Sequence, residues 1–115
     1  MKAEDATVLA RELAAAQQTR KPISPISERI LNFTTDDAYQ VQLAHLSERE
    51  LAGRRQKGHK IGLTSQVTRD LAGGEGPDFG TLFDDMFIAE ESSVSCSRFN
   101  AGVAVEIRGT PAFQL

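Results

Sequence analysis

Material for a hydrophobic core is the scarcest thing in this sequence. A chain of 115 residues has room for one small core. This one brings six Phe, one Tyr and no Trp to it, against nine Gly and four Pro. We read residues 1–115 as a single segment, too short for two ordinary domains. Its 40% apolar and 25% charged residues are usual for a soluble globular protein. The net charge of −3 gives no electrostatic reason to expect nucleic acid or an anionic membrane as partner. No apolar run approaches the ~20 residues of a membrane helix. The N-terminal stretch has acids early and no continuous apolar run, so it does not read as a secretory signal, and the expected location is cytoplasmic. Cys96 is the only cysteine, which excludes an intrachain disulfide.

Punctuation cuts the chain into short elements. Residues 5–19 predict an amphipathic helix with Val8, Leu9, Leu13 and Ala16 at helical spacing and Glu4 and Asp5 near its positive end. Pro22 and Pro25 stop it and force an extended path. Thr34 or Thr35 can cap a second helix, favoured by Asp36 and Asp37. That helix runs to about Leu51, with Ala38, Val41, Leu43 and Leu46 as apolar positions and Gly53 as its stop. Arg54–Gly58 reads as a polar connector and His59–Leu63 as a strand. Thr64 or Ser65 can cap a short third helix carrying Val67 and Leu71. Gly73–Gly80, with four glycines and a proline, reads as a loop. Leu82–Ala89 fits either helix or strand, Ser92–Phe99 is β-prone, and Ala101–Ile107 reads as a strand.

Few residues stand out chemically. In a strand, His59 and Lys60 face opposite sides, and Gly62 lets a ligand or another backbone come close. A solvated edge lysine is the plainer reading of Lys60. Asp78, between Pro77 and Phe79-Gly80, is a carboxylate held on a stiff loop. That position suits proton transfer or metal coordination, although turn formation is the commoner use. Glu106 alternates with Ala104 against Val103, Val105 and Ile107, which places it on a solvent face or makes it a buried functional group. Arg54, Arg55, Lys57, His59 and Lys60 form a basic cluster that can hold an anion, but a solvated linker accounts for it in an acidic chain. Cys96 has no basic residue nearer than Arg98 and reads as a small packed residue. No phosphate-binding glycine motif, zinc-protease motif or nucleophile elbow is present.

Three segments carry a resemblance. They are Asp37-Ala38-Tyr39-Gln40-Val41-Gln42, Gly58-His59-Lys60-Ile61-Gly62-Leu63-Thr64-Ser65, and Pro77-Asp78-Phe79-Gly80-Thr81-Leu82-Phe83-Asp84-Asp85-Met86. In that order and spacing the chain resembles the N-terminal part of the 2-hydroxypentadienoate (2-keto-4-pentenoate) hydratases and 4-oxalocrotonate decarboxylases. These belong to the fumarylacetoacetate-hydrolase-like superfamily. The resemblance implies a lyase of aromatic-compound catabolism acting on a small 2-oxo or 2-hydroxy dienoic acid, either by adding water or by removing CO₂. It implies Mg²⁺ or Mn²⁺ held by carboxylates, a hard cation suited to chelating a 2-oxo acid. It gives Lys60 the role of neutralising substrate or enolate charge and Asp78 that of proton transfer or support. Glu106 falls at a metal ligand.

The same resemblance implies an α+β fold, with N-terminal helices followed by short strands that join a β-rich, barrel-like core, here truncated. Family members carry a Glu-x-Glu pair where this chain has Ala104 and Glu106, and alanine cannot ligate a metal. They also continue well past Ile107. The expectation is therefore a hydratase-like or decarboxylase-like segment, incomplete or inactive alone, with a non-catalytic interaction module as the alternative. Homo-oligomers, or association with full-length relatives, are the expected assemblies.

Overall fold

The structure, a computed structural model, describes residues 1–95 and residue 97. The expected strand at 101–107, Glu106 and Cys96 lie outside these described residues. Contacts group the chain into two compact units, whose described segments include Met1–Gly53 and Arg54–Glu91.

The first unit is helical. Helix α1 spans Ala3–Thr19, one-turn α2 spans Ile26–Arg29, and α3 spans Thr35–Leu51. Helix α1 ends where Arg20 turns left-handed at φ 57°, just before the proline pair. The one-turn α2 was not expected from sequence. Pro25 is its N-cap residue, a position whose own N–H makes no intrahelical bond. Helix α3 begins with a complete capping box. Thr34 Oγ1 accepts from the Asp37 backbone N–H at 3.1 Å, and Asp37 Oδ2 accepts from the Thr34 N–H at 2.9 Å. Gly53, at φ 90°, follows its end.

Helices α1 and α3 pack through Ala6, Leu9, Ala10 and Val41, with Leu13, Ile26, Ile30, Phe33 and Ala44 around them. The small Ala6 and Ala10 let the helices approach closely in place of bulky side chains. Val8 and Leu43, expected on the apolar faces, are exposed instead. Each lies off the stripe set by Leu9 and Val41, at an angle that helical periodicity turns outward. Around the rim Arg29 holds Glu12 with two bonds of 2.9 and 3.1 Å, and Arg11 pairs with Glu48 at 3.0 Å.

The second unit is a two-stranded antiparallel sheet with a short helix in its connection. Strand β1 spans Gln56–Gly62, α4 spans Gln66–Ala72, and β2 spans Asp78–Phe83, followed by a 3₁₀ turn at Asp84–Met86. Ser65 caps α4 by accepting from Thr68 N–H at 3.2 Å, and Gly73 closes it at φ 72°. Two sequence readings are corrected here. β1 begins inside the expected connector, because Gln56 pairs with Phe83. β2 begins inside the expected glycine loop, because Asp78 pairs with Gly62. Cross-strand pairing overrides the low strand propensity of glycine, which interior strand positions tolerate when another backbone lies close. Leu82 and Phe83, left open between helix and strand, end β2. Phe83 is fully buried, and the Arg54 guanidinium covers its ring at 4.7 Å while bonding Asp85 at 2.6 Å. Arg54 and Lys57 therefore belong to a packed element and its approach, where the sequence suggested a solvated linker.

Candidate active site

The pairing of β1 with β2 decides which side chains meet. Gly58 lies opposite Leu82, Lys60 opposite Gly80, and Gly62 opposite Asp78. Residues directly opposite share a face, as do residues two apart along a strand. One face therefore carries Gly58, Lys60 and Gly62 from β1, and Leu82, Gly80 and Asp78 from β2. His59, Ile61, Phe79 and Thr81 lie on the other, where the His59 and Phe79 rings meet edge-on at 6.1 Å.

Lys60 and Asp78 are diagonal neighbours on the first face, a relation that puts residues about 7–8 Å apart. Both side chains are exposed. The three glycines between and beside them raise nothing above the backbone. Gly62 does more than leave space: a Cβ built there would lie 2.5 Å from Asp78 Oδ1, so the carboxylate rests across that glycine. A cation and a carboxylate thus share a glycine-floored strip of one sheet face. Lys60 can neutralise a carboxylate or enolate. Asp78 can accept or return a proton across the strip.

The sequence reading singled out both residues. It placed Asp78 on a loop, whereas Asp78 opens a strand whose register aims it at the Lys60 face. It did not find the glycine strip. The signal was available as glycine at alternate positions, Gly58-x-Lys60-x-Gly62, but its meaning depends on a partner strand with Gly80 in register. It also missed Phe87, whose ring lies 3.8 Å from a Cβ built at Gly58.

A hard divalent cation needs several oxygen ligands. Among the described residues no group of three or more His, Cys, Asp or Glu side chains comes together. The strip offers one carboxylate, Asp78. These residues do not by themselves fit a metal centre, and Glu106 lies outside them.

Comparison with known proteins places the segment. No family model matches it. It is 41% identical over 88 residues to a 2-keto-4-pentenoate hydratase of Paraburkholderia xenovorans, covering 76% of this chain and 33% of that protein. It is 39% identical over 93 residues to a 2-oxo-hept-4-ene-1,7-dioate hydratase of Escherichia coli, covering 81% of this chain and 35% of that one. The matched residues are thus similar to about a third of each of these hydratases.

A decarboxylase is similar in structure. The 4-oxalocrotonate decarboxylase of Pseudomonas putida, complexed with calcium and acetate, superposes with a TM-score of 0.83 at 28% identity, covering 87% of this chain and 39% of that one. The same enzyme complexed with magnesium and adipate gives 0.70 at 29% identity, covering 74% and 32%. The α+β expectation is borne out by the helices, the small antiparallel sheet and these neighbours. The chain spans about a third of the length of the curated relatives it matches. Among the described residues no helix is long and apolar enough to cross a membrane.

Proposed function

We propose that this chain supplies the Lys60–Asp78 face of a hydratase-type lyase that adds water to a 2-hydroxy-2,4-dienoate, giving a 4-hydroxy-2-oxo acid. The observation that carries the proposal is the register of β1 and β2, which sets a cation and a carboxylate diagonally across a glycine-floored strip. Lys60 draws the substrate's negative end to the strip and offsets charge on the enolate. Asp78, held across Gly62, moves a proton at the carbon chain. The hydratase reading is preferred to decarboxylation because the sequence relatives at 34–41% identity are hydratases, whereas the decarboxylase likeness rests on 28–29%. The resemblance gives a divalent cation to the family site. Among the described residues the strip carries one carboxylate, Asp78, too few oxygens to hold such a cation.

The test is an assay with 2-hydroxypenta-2,4-dienoate and with 4-oxalocrotonate, each with Mg²⁺ and with Mn²⁺. Binding of 2-oxopentanoate is followed in parallel by amide chemical shifts. The expected result is hydration of the dienoate, with shifts centred on β1 and β2 that Lys60→Ala abolishes. No turnover, together with shifts that ignore Lys60, would overturn the proposal.

A further inference from the structure

The turn that ends β1 is strained in its backbone, and one side chain holds it. Leu63 follows Gly62 at φ 52°, in the left-handed region. That region is disfavoured for a residue with a side chain by about fivefold to thirtyfold in population. Such a conformation persists where its surroundings over-determine it, and it clusters at functional sites. Arg69 of α4 supplies the hold from two directions. Its Nη1 donates to the Leu63 carbonyl oxygen at 3.0 Å in a part-buried position. Its Nη2 donates to Gln66 Oε1 at 3.2 Å, and Gln66 Nε2 donates to Asp70 Oδ1 at 2.7 Å, so the guanidinium is itself anchored along α4. The Arg69 carbonyl oxygen accepts from the Gly73 and Gly74 N–H groups, the latter at 3.0 Å. Gly74 is where the Leu63 side chain comes to rest: a Cβ built there would lie 3.2 Å from Leu63 Cδ1. One arginine therefore ties the end of β1 to the loop that leads into β2.

The consequence falls on Asp78. Gly62 and Asp78 form the last pair of the ladder, and the Asp78 carboxylate lies across Gly62. Leu63 sets the direction in which the chain leaves Gly62. In the extended region β1 would run on past Asp78, and the peptide plane after Gly62 would rotate beneath the carboxylate. We infer that Arg69 is a positioning residue for Asp78: by holding Leu63 left-handed it fixes the glycine against which the carboxylate is placed. The inference rests on the proposed role of Asp78 in proton transfer. Arg69 itself takes no part in bond making.

The experiment measures hydration of 2-hydroxypenta-2,4-dienoate with Mg²⁺ by the full chain and by Arg69→Met, each with and without Leu63→Gly, beside Lys60→Ala and Asp78→Asn. Met keeps an unbranched stem, and unchanged amide protection of β1 and β2 verifies the sheet. The short Hα–HN distance within Leu63, read as a nuclear Overhauser effect, reports its positive φ. The expected result is that Arg69→Met weakens this signal and lowers kcat about tenfold, with KM within about twofold of the parent. Glycine enters the left-handed region freely, so the same substitution should cost less than about threefold in the Leu63→Gly background. An unchanged kcat in Arg69→Met, or an equal cost in both backgrounds, would overturn this inference alone, provided Lys60→Ala and Asp78→Asn abolish turnover. Turnover that survives Lys60→Ala and Asp78→Asn would overturn the proposed function and this inference together. No turnover by the parent chain would overturn this inference, and the proposed function with it where 2-oxopentanoate binding also ignores Lys60.

Discussion

Thr34 caps α3 with a side-chain oxygen, and Asp37 returns the bond to the Thr34 backbone. Thr34→Ala removes the hydroxyl that accepts from the Asp37 N–H and donates to Asp37 Oδ2, and leaves the backbone bond in place. It should cost about 1 kcal/mol of stability, measured by urea unfolding. The Asp37 carboxylate accepts from the Thr34 backbone and hydroxyl and lies 3.1 Å from the Met1 ammonium. The Thr34 backbone bond, then the Thr34 side-chain bond, then the N-terminal ammonium hold its pKa down at about 2, from 3.8. A depressed carboxylate stabilises the fold above its unfolded pKa. That contribution fades as pH falls from about 3.8 through about 2. The helical unit should therefore lose stability on acidification across this window. Asp37→Asn should flatten the loss in an acid titration followed by circular dichroism. At the proposed site, Lys60 and Asp78 are exposed. Their replacement should leave the unfolding free energy within about 0.5 kcal/mol of the parent, as for other surface positions, while removing ligand binding.

Elements, rather than residues, made the site hard to read from sequence. The helices were legible because their signals are local. Thr34, Asp37, Ser65, Gly53 and Gly73 each act within one turn of their own position. The strands were only partly legible because their signal is a partner. Gln56–Gly58 resembles a linker and Asp78–Gly80 a loop until each is laid against the other. Lys60 and Asp78 stood out through the motifs around them, but that they share a face follows only from the register. Gly62 gives a test at this scale. An added Cβ would crowd Asp78 Oδ1, the far end of a flexible side chain, without crowding backbone. Gly62→Ala should therefore displace the carboxylate and depress turnover much as Asp78→Asn does. The β1–β2 ladder should remain intact in amide-exchange measurements. An unchanged activity would place the reacting group elsewhere.

On the scale of the molecule, scarcity of core material recurs in the structure. The helical unit is closed by Ala6, Leu9, Ala10 and Val41, two of them alanines. Leu9 is the largest of the four, and Leu9→Ala should cost about 2–3 kcal/mol in chemical unfolding, toward the lower end for buried leucines because little surrounds it. In the second unit, the described residues form a sheet of two strands, with Ile61, Val67, Leu71 and Phe79 exposed. Two strands alone are marginal in water, and open edges invite further pairing. Concentration-dependent association in sedimentation experiments is the expected behaviour. These features fit a segment matching about a third of each relative.

The central claim is that Lys60 and Asp78 act on one ligand from one sheet face. A double-mutant cycle on hydration of 2-hydroxypenta-2,4-dienoate tests it most directly, using Lys60→Ala, Asp78→Asn and the double variant. Groups that act on the same bound molecule are strongly non-additive. The double variant should therefore lose little more kcat/KM than the worse single variant. Losses that simply multiply, or single variants that retain parental kcat/KM, would contradict the claim.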